Sequence, residues 1–506
     1  MCGFIGILGP EGTNVIPELA TGLLAIQHRG QDAAGALTYD GRFHMHKAHG
    51  LVRDVFTPDK VKALTGSLGI AHVRYPTVGM GSVDDAQPFM ISYPFGIGMV
   101  HNGNVTNFAD IRSEMSRKSH WHVNSSCELE GILKVFGDEL AQQQIEKLHP
   151  DNVFRAVEGV YNRVKGAYSV VGMIAGEGMY AFRDPYGIKP IIVGSRQDDE
   201  GRTSWCVASE SVLMDVLDFH GTFDLGPGEA VFIDLEGTIH RKKLADAPHS
   251  PCLFEWVYFA RPDSFLDRVS VYKTRLRLGE LMAPIFEAKG WDVDVVIPVP
   301  ESAVTSAMAM ARELKVKYRE GLVKNRYVGR TFIMANDNLR RQSIRQKLNP
   351  IQLEFEGKNV LLVDDSIVRG NTSRQIVEMA RRAGAKNVYF ASVSPPLKFP
   401  CIYGIDMSTK NEFVARDRSP EEVAEYIGAD GVVYQSLENL EKAVREGNDE
   451  ITQTCSACFS GHYPTGDVDE ERLATIENER LDAGSPLLKP APVKTPAPAS
   501  GSGSAT

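Results

Sequence analysis

The sequence predicts an α+β domain followed by an α/β domain with a mainly parallel sheet. The chain has 506 residues, a length typical of about two to four domains. In the first half, short strand-like runs alternate with turns, as at residues 166–174 and 179–190. In the second half, residues 292–300 and 360–363 form largely apolar runs, typical of strands that are covered on both faces. A helix-like run at residues 375–382 follows the second of these strands, which is the order of an α/β fold.

Composition excludes several classes of protein. The formal net charge is -10 and the pI is about 5.8, which argues against a dedicated nucleic-acid binder. The sequence has no apolar run of about 18 residues and no visible secretory signal, so we expect no membrane span and a cytoplasmic location. The seven cysteines are odd in number and widely spaced, which favours catalytic or metal-binding roles over a disulfide framework.

The N-terminus offers a candidate nucleophile. Cys2 follows Met1, and removal of Met1 would leave Cys2 with a free α-amino group. That amine has an ordinary pKa near about 8, so it can accept the proton of its own thiol. On Cys2 alone, the alternative is a small residue at an unremarkable start.

Three later stretches, residues 27–35, 69–77 and 100–104, favour the nucleophile. Together with Cys2 they resemble the N-terminal-nucleophile glutaminase domain of class II amidotransferases, which implies a layered α/β/β/α fold. The resemblance implies that Cys2 attacks the glutamine amide, and that Asn102 and the Gly103 N–H stabilise the oxyanion. It also implies that Arg74, a planar fork suited to carboxylates, holds the substrate carboxylate.

The sequence departs from this family's pattern at the acid that pairs with the glutamine α-ammonium. The family has Asp where this chain has Glu128, so the charge is kept but the carboxylate lies one methylene farther out. Glu130 is an alternative for this role. Cys127, which directly precedes Glu128, is interpreted as a packing residue. Cys206, in a strand-like run, is interpreted in the same way.

The stretch at residues 358–373 is the strongest single signal. Its apolar strand ends at Asp364 and Asp365, which suit ribose hydroxyls and a hard cation such as Mg²⁺. A loop of small and polar residues leads into the helix, and ligands of α/β sheets bind beyond strand ends and at helix N-termini. The alternative is an acidic solvent turn.

These residues resemble the phosphoribosylpyrophosphate (PRPP) motif of type I phosphoribosyltransferases. The resemblance implies that Ser302, after the strand at 292–300, joins Asp364 and Asp365 around Mg²⁺. The PRPP-binding residues that it implies in this stretch are Asp364, Asp365, Ser366, Arg369, Gly370, Asn371, Thr372 and Ser373.

A basic stretch at residues 324–349 precedes this motif. A charge run of this kind is often a solvated helix face. Here it resembles the flexible lid of glutamine PRPP amidotransferases. The resemblance makes Arg330 and Lys347 the leading candidates to close over PRPP.

The two domains in this order resemble the glutamine PRPP amidotransferase (amidophosphoribosyltransferase) family. The basic and proline-containing stretch at residues 241–251 places the domain boundary, which gives domains at residues 2–245 and 246–465 and a C-terminal extension at 466–506. The resemblance implies the first committed step of purine synthesis. Ammonia released from glutamine at Cys2 would pass inside the protein to C1 of PRPP and displace diphosphate. Feedback inhibition by purine nucleotides and a homotetramer are further implications of the resemblance alone.

Four cysteines resemble the ligands of a 4Fe–4S cluster in one branch of this family. A single C-x-x-C pair is ambiguous between zinc, redox and cluster roles, and buried structural thiols remain an alternative. The four residues are Cys252, Cys401, Cys455 and Cys458.

Three other interpretations remain open from the sequence. The first is a different class II glutamine amidotransferase that shares only the first domain. The second is a non-catalytic PRPP-sensing regulator, and the third is a cluster-free form of the same enzyme. The tail from about residue 485 is rich in Pro, Ala, Ser and Gly and is predicted to be disordered.

Overall fold

The first half of the chain forms two antiparallel sheets. The computed structural model describes residues 2–75, 82–325, 348–405 and 412–483. The first sheet has the order β11-β9-β10-β1-β4-β2-β3 and the second β13-β12-β8-β7-β6-β5. The strands are β1 Gly3–Leu8, β2 Ala33–Tyr39, β3 Phe43–His49, β4 Leu68–Arg74, β5 Phe89–Ile91, β6 Ile97–Val105, β7 Gly166–Ile174, β8 Gly178–Arg183, β9 Ile192–Gln197, β10 Thr203–Ala208, β11 His220–Asp224, β12 Glu229–Asp234 and β13 Ile239–Lys243.

Helices cover the outer faces of both sheets. In β1, Phe4 packs between the sheets against Val100 and Val171, whereas Ile5 packs outward against the first helix, as expected for the two-residue period of a strand. The outer face of the second sheet packs on the helices at Glu128–Ala141 and Pro150–Arg163. The helices of this half are α1 Ile16–Ala25, α2 Val52–Val55, α3 Pro58–Lys62, α4 Phe108–Glu114, α5 Glu128–Ala141, α6 Pro150–Arg163 and α7 Val212–Val216. The expected α/β/β/α layering is confirmed.

The second half contains a five-stranded sheet in which every pairing is parallel. Apolar side chains line both of its faces, and helices cover each face, which confirms the α/β prediction. Its strands are β16 Val295–Pro298, β17 Lys317–Tyr318, β20 Asn359–Asp364, β21 Asn387–Ser392 and β22 Gly431–Tyr434. The helices of this half are α8 Val271–Glu287, α9 Val304–Leu314, α10 Asn371–Arg382, α11 Pro420–Ile427, α12 Leu437–Arg445, α13 Ala457–Ser460 and α14 Glu470–Ala483.

The order of this sheet, β17-β16-β20-β21-β22, contains a topological switch point. The chain goes from β16 to the neighbouring strand on one side and later returns to β20 on the other side. In open α/β sheets, ligands bind in the crevice outside the carboxyl ends of the two strands at such a point. The residues that follow β16 and β20 are therefore the place to look for a ligand site.

Two small two-stranded antiparallel sheets and several single turns complete the described structure. The strands β14 Phe265–Leu266 and β15 Val269–Ser270 pair with each other, as do β18 Leu322–Lys324 and β19 Leu348–Pro350. Single turns are 3-10 helical at Gln27–Arg29, Val83–Asp85 and Gln352–Glu354, and π-helical at Met115–Ser119 and Glu255–Phe259. The proposed domain boundary at residue 245 falls just after β13, and α14 lies in the proposed C-terminal extension.

None of the helices in the described ranges is long and apolar enough to cross a membrane.

Candidate active site

Cys2 lies at the start of β1, in the middle of the first sheet, beside the second sheet. Its main-chain nitrogen donates to Asn102 Oδ1 at 3.2 Å, and the Tyr75 N–H points at Cys2 Sγ at 3.5 Å. Arg29 Nε donates to the Cys2 carbonyl oxygen at 3.1 Å. The candidate nucleophile is thus fixed on three sides by groups from different strands and turns.

Asn102 lies opposite Cys2, on β6 of the second sheet. Its Oδ1 accepts from a main-chain N–H, so its Nδ2 is the free end of the amide. This Nδ2 is buried and has no hydrogen-bond partner within the described residues. A buried donor without a partner costs about 1–3 kcal/mol, which an oxyanion formed beside Cys2 would recover.

Gly103 follows Asn102 in a conformation that only glycine fits. Its φ is +152°, and a Cβ at this position would lie 1.9 Å from the Ala167 carbonyl oxygen of β7. A side chain here would push β6 away from its neighbour. The close packing keeps the main chain next to Asn102 in a fixed position.

Arg74, at the end of β4, is buried between two acids. Its guanidinium lies 3.3 Å from the Asp32 carboxylate and 3.9 Å from that of Asp85. Asp85 in turn accepts hydrogen bonds from the Ser126 N–H and hydroxyl, each at 2.9 Å. The Arg74 guanidinium is therefore oriented before any substrate carboxylate arrives. Asp85 links it to the loop that precedes α5.

Glu128 and Glu130 have different surroundings, although both are buried. Four donors surround the Glu130 carboxylate: the Asn124 N–H, the Ser125 N–H and hydroxyl, and the Lys134 ammonium, at 3.0, 2.7, 2.7 and 2.5 Å. Glu130 is thus occupied in holding the loop to α5. Glu128 has no such set of loop donors among the described residues, and it lies within electrostatic range of Arg74.

Glu128 is the first residue of α5, and its Oε1 lies 3.6 Å from His101 Nε2. Burial opposes ionisation of this carboxyl, yet the facing His101 ring and Arg74 hold the pKa of Glu128 below its usual value. Cys127 beside it is 5% exposed, and burial raises the pKa of its thiol well above the ordinary range. This agrees with a packing role for Cys127, and Cys206 is likewise buried, in β10.

The second candidate site lies at the switch point of the parallel sheet. Asp364 ends β20, and the Asp365 N–H donates to its Oδ1 at 2.9 Å. Ser366 Oγ donates to Asp365 at 2.6 Å, and Ser302 Oγ, after β16, donates to the same carboxylate. The structure thus brings Ser302 to the acid pair, where the resemblance implies that it lies.

Burial and mutual repulsion raise the pKa of Asp364 well above its usual value, and burial also raises the pKa of Asp365. Two carboxylates this close are costly when both are charged, unless a cation or hydrogen-bond donors join them. Arg275 of α8 lies within electrostatic range of Asp365. Its guanidinium donates to the main-chain carbonyls of Trp256, Tyr258 and Ala260 at 2.9, 3.2 and 2.8 Å.

A tight turn leads from the acid pair into α10. Gly370 has a φ of +76°, and Arg374 N–H donates to its carbonyl at 2.8 Å as the first hydrogen bond of the helix. The N–H groups of Asn371, Thr372 and Ser373 therefore precede the helical ladder and are available to an anion. Arg369 forms an ion pair with Glu412 at 2.9 Å, at the edge of this turn. Arg330 and Lys347 lie outside the described residues.

The four cysteines predicted to bind a cluster come together in one buried region. Cys252 forms an isolated parallel β-bridge with Cys455, and the N–H groups of residues 398 and 399 donate to the Cys458 carbonyl. The Cys401 and Cys252 thiols affect the ionisation of both Cys455 and Cys458. None of the seven cysteines, which all lie within the described ranges, forms a disulfide.

No group of three or more His, Cys, Asp or Glu side chains in the described residues is arranged to hold a single metal ion. An iron–sulfur cluster is larger than one ion, so its ligands stand farther apart. Burial raises the pKa of Cys252 to about 11, and the neighbouring Lys189, which is fully buried, favours its thiolate. Lys189 also lies within electrostatic range of Cys401 and Cys455, and a buried cation beside these thiols suits a negatively charged cluster.

The two halves meet directly behind the candidate oxyanion site. Asn104 Nδ2 donates to the Ile402 carbonyl at 2.7 Å. A Cβ on Gly404, whose φ is +99°, would lie 2.6 Å from the Gly103 carbonyl oxygen. Arg29, which contacts Cys2, forms buried ion pairs with Glu210 at 2.7 Å and with Glu255 at 3.0 Å.

Sequence reasoning missed several of these residues. Arg29 and His101 lie inside motifs that were recognised, but nothing in the motifs distinguishes them from their neighbours. Lys189 likewise lies in the run at residues 179–190, which was interpreted only as a strand followed by a turn. Arg275 has no sequence signal, because its partners are main-chain carbonyls brought close by folding.

Comparisons with known proteins find relatives for both halves of the chain. A family model described as "Phosphoribosyl transferase domain" matches residues 271–394, and one described as "Glutamine amidotransferase domain" matches residues 72–215. A Pseudomonas aeruginosa protein named amidophosphoribosyltransferase is 50% identical over 96% of this chain and 97% of that relative. An Escherichia coli protein of the same name is 48% identical over 95% of this chain and 96% of that relative.

Solved structures extend this likeness to the fold. The glutamine PRPP amidotransferase from B. subtilis, in complex with ADP and GMP, matches with a TM-score of 0.81 at 34% identity, over 93% of this chain and 98% of that one. An enzyme sharing only the first domain, and a regulator built only on the second, do not fit a likeness that spans both. The chain belongs to the amidophosphoribosyltransferase family.

Proposed function

We propose that the chain hydrolyses glutamine at Cys2 and delivers the ammonia to C1 of PRPP. The products are glutamate, 5-phosphoribosylamine and diphosphate, and the reaction is the first committed step of purine biosynthesis. One observation carries the proposal: a single chain holds the Cys2–Asn102 pair between its antiparallel sheets and the Asp364–Asp365 pair at the switch point of its parallel sheet.

At the first site, Cys2 Sγ forms a bond to the amide carbon of glutamine, and the carbonyl oxygen becomes an oxyanion. Asn102 Nδ2–H and the Gly103 N–H are the proposed donors to it, and a donor of this kind typically contributes about 3–4 kcal/mol. Once Met1 is removed, the α-amino group of Cys2 takes the thiol proton and returns it to the leaving nitrogen. The C–N bond then breaks and ammonia departs. Water hydrolyses the remaining thioester to glutamate.

Substrate glutamine is proposed to lie between Arg74 and Glu128. Arg74 pairs with the α-carboxylate through its planar fork, and Glu128 accepts from the α-ammonium. The depressed pKa of Glu128 supports this role, because only the charged carboxylate attracts an ammonium. The two residues are already linked through Asp85 and the loop before α5.

At the second site, the lone pair of ammonia forms the new bond at C1 of PRPP as the bond from C1 to diphosphate breaks. The nitrogen then gives one proton to the departing diphosphate or to water, which leaves the neutral amine. Asp364 and Asp365 are proposed to accept from the ribose hydroxyls. The turn before α10 is proposed to hold the phosphate through its N–H groups and the hydroxyls of Thr372 and Ser373. Arg330 and Lys347 are proposed to close over the diphosphate and to keep water away from the ammonia.

Magnesium fits the second site. Mg²⁺ usually takes one or two carboxylates from the protein and completes its shell with waters and substrate phosphates. Asp364 and Asp365 are two buried carboxylates with raised pKa values, and Ser302 lies at the second of them. When bound there, Mg²⁺ would neutralise charge on the diphosphate.

A 4Fe–4S cluster fits the buried thiols. Such clusters are held by four cysteine thiolates, and this chain places four cysteines that form no disulfide and the Lys189 ammonium in one buried region. A cluster bound there would cross-link segments that lie far apart in the sequence. Its proposed ligands are Cys252, Cys401, Cys455 and Cys458.

Regulation, assembly and location complete the proposal. The B. subtilis relative was solved with ADP and GMP, and we propose that purine nucleotides also inhibit this chain. A homotetramer is proposed by analogy with the family. A cytoplasmic location and the absence of nucleic-acid and membrane partners are proposed from the acidic charge and the lack of a long apolar run in the sequence.

The decisive experiment measures glutaminase activity with and without PRPP, and ammonia-dependent synthesis alongside, in wild type and Cys2→Ala. We expect Cys2→Ala to lose glutamine use and to keep ammonia-dependent diphosphate release, because the two reactions use separate sites. If neither nitrogen source releases diphosphate from PRPP, the proposal fails. Iron and sulfide analysis of the purified chain tests the cluster separately. A cluster-free enzyme would contain neither iron nor sulfide.

A further inference from the structure

Gln87 and His101 form a hydrogen-bonded pair beside Glu128. The His101 main-chain N–H donates to Gln87 Oε1 at 2.8 Å, and Gln87 Nε2 lies 2.9 Å from His101 Nδ1. Both residues are nearly inaccessible to solvent, with exposures of 3% and 2%. His101 immediately precedes Asn102 on β6.

This pair determines which nitrogen of His101 carries a proton. A main-chain N–H can only donate, so the atom that accepts from it must be the amide oxygen of Gln87. The other end of the amide is then the NH₂ group, and it donates to His101 Nδ1. Nδ1 therefore carries no proton, and the proton of the ring lies on Nε2.

His101 Nε2 faces Glu128. It lies 3.6 Å from Oε1, it is buried, and it has no hydrogen-bond partner within the described part of the chain. A small rotation of either side chain closes this distance to a hydrogen bond. His72 fixes the His101 main chain from the other side, since its Nε2 lies 3.2 Å from the His101 carbonyl oxygen.

We propose that Gln87 and His101 are positioning residues for the glutamine subsite, which hold the Glu128 carboxylate where it meets the substrate α-ammonium. The inference rests on the proposed glutamine site. A glutamate side chain has several rotatable bonds, so its carboxylate has many positions to lose on binding. The Nε2–H of His101 selects one of them.

The test compares two substrates in a double-mutant cycle. The variants are His101→Asn, Glu128→Asp and the combination of both. The substrates are L-glutamine and 4-carbamoylbutanoate, which is glutamine without its α-amino group. The measured quantity is kcat/KM for ammonia release, with KM and kcat resolved separately.

In the wild-type background, we expect His101→Asn to raise the KM for glutamine about tenfold, the size expected for one charge-assisted hydrogen bond. The kcat for glutamine and the values for 4-carbamoylbutanoate should change less than about twofold, because the analogue has no ammonium for Glu128 to meet. In the Glu128→Asp background, the same replacement should have little effect on either substrate, because the shorter side chain withdraws its carboxylate from His101.

Equal losses for both substrates, or equal losses in both backgrounds, would mean that His101 only supports the fold, and would overturn the inference. If His101→Asn does not fold, Gln87→Met takes its place, since it removes the amide that fixes the ring and should give the same selective loss. Ammonia-dependent synthesis in every variant reports on the other site. A wild-type chain that releases no ammonia from glutamine would refute the proposed function itself. If His101→Asn instead lowers kcat/KM more for 4-carbamoylbutanoate than for glutamine, only the positioning role is refuted.

Discussion

Replacing Gly404 with alanine should damage a glutaminase site that lies in the other domain. The residue has a φ of +99°, and its added Cβ would lie 2.6 Å from the Gly103 carbonyl oxygen and 2.8 Å from its carbonyl carbon. Gly103 cannot retreat, because it is itself packed against the Ala167 carbonyl of β7. The new methyl group therefore displaces either β6 or the segment that carries Gly404.

The magnitude has two parts. The left-handed conformation costs an alanine about 1–3 kcal/mol, and the overlap adds about 1–3 kcal/mol more, as in an overpacked core. Gly428→Ala is the matched control, because this residue has a φ of +77° but nothing within 4 Å of an added Cβ. The difference in unfolding free energy between the two variants isolates the contact with Gly103.

The assay is glutamine-dependent against ammonia-dependent synthesis. If the methyl group shifts Gly103, kcat with glutamine should fall about 10²–10³-fold, as on loss of one oxyanion donor, while ammonia-dependent synthesis persists. Gly428→Ala should leave both rates near wild type. Should Gly404→Ala match Gly428→Ala in its glutamine-dependent rate, Gly103 is not held by this contact and the reasoning is wrong.

Three further predictions follow from buried groups. Asn102→Ala should reduce kcat with glutamine about 10²–10³-fold and leave ammonia-dependent synthesis intact, as measured by steady-state kinetics; an unchanged kcat would exclude Asn102 as an oxyanion donor. Glu255→Gln leaves the fully buried Arg29 with one charged partner, and chemical denaturation should show a loss of about 3–5 kcal/mol; a loss below about 1 kcal/mol would show that Glu210 alone suffices. Burial raises the pKa of Asp184 from 3.8 to about 6, so its contribution to stability is complete below pH 3.8 and is lost as the pH rises through 6. The unfolding free energy of wild type relative to Asp184→Asn should therefore fall by roughly 2–3 kcal/mol between pH 4 and pH 7, and a difference that does not vary with pH would contradict the assigned shift.

The second site could be read from the sequence because its signals are local. The apolar run before Asp364 and Asp365 and the small residues after them are contiguous, and β20 and α10 form where these patterns predict. The position of Ser302 depended instead on a resemblance. Only the pairing of β16 with β20 brings it to Asp365.

The glutamine subsite was harder to read, because two acids lie two residues apart on one helix. Their charges and their spacing give no reason to prefer Glu128 over Glu130. The distinction comes from partners: Glu130 is surrounded by donors of its own loop, and Glu128 faces a histidine from another strand. Such partners are set by tertiary packing, as are the carbonyls that hold Arg275.

The contact between Asn104 and Ile402 also has a consequence for how the protein is made. The two residues are 298 positions apart, and Thr106, on the same segment, bonds Asp467 across 361 positions. During synthesis, β6, the strand that carries Asn102 and Gly103, therefore leaves the ribosome long before the segments that cover it. A fragment ending at residue 245 would lack this cover behind Gly103. The glutaminase half is thus completed only when the C-terminal part of the chain has folded onto it, so the nitrogen-releasing centre is finished together with the centre that consumes the nitrogen.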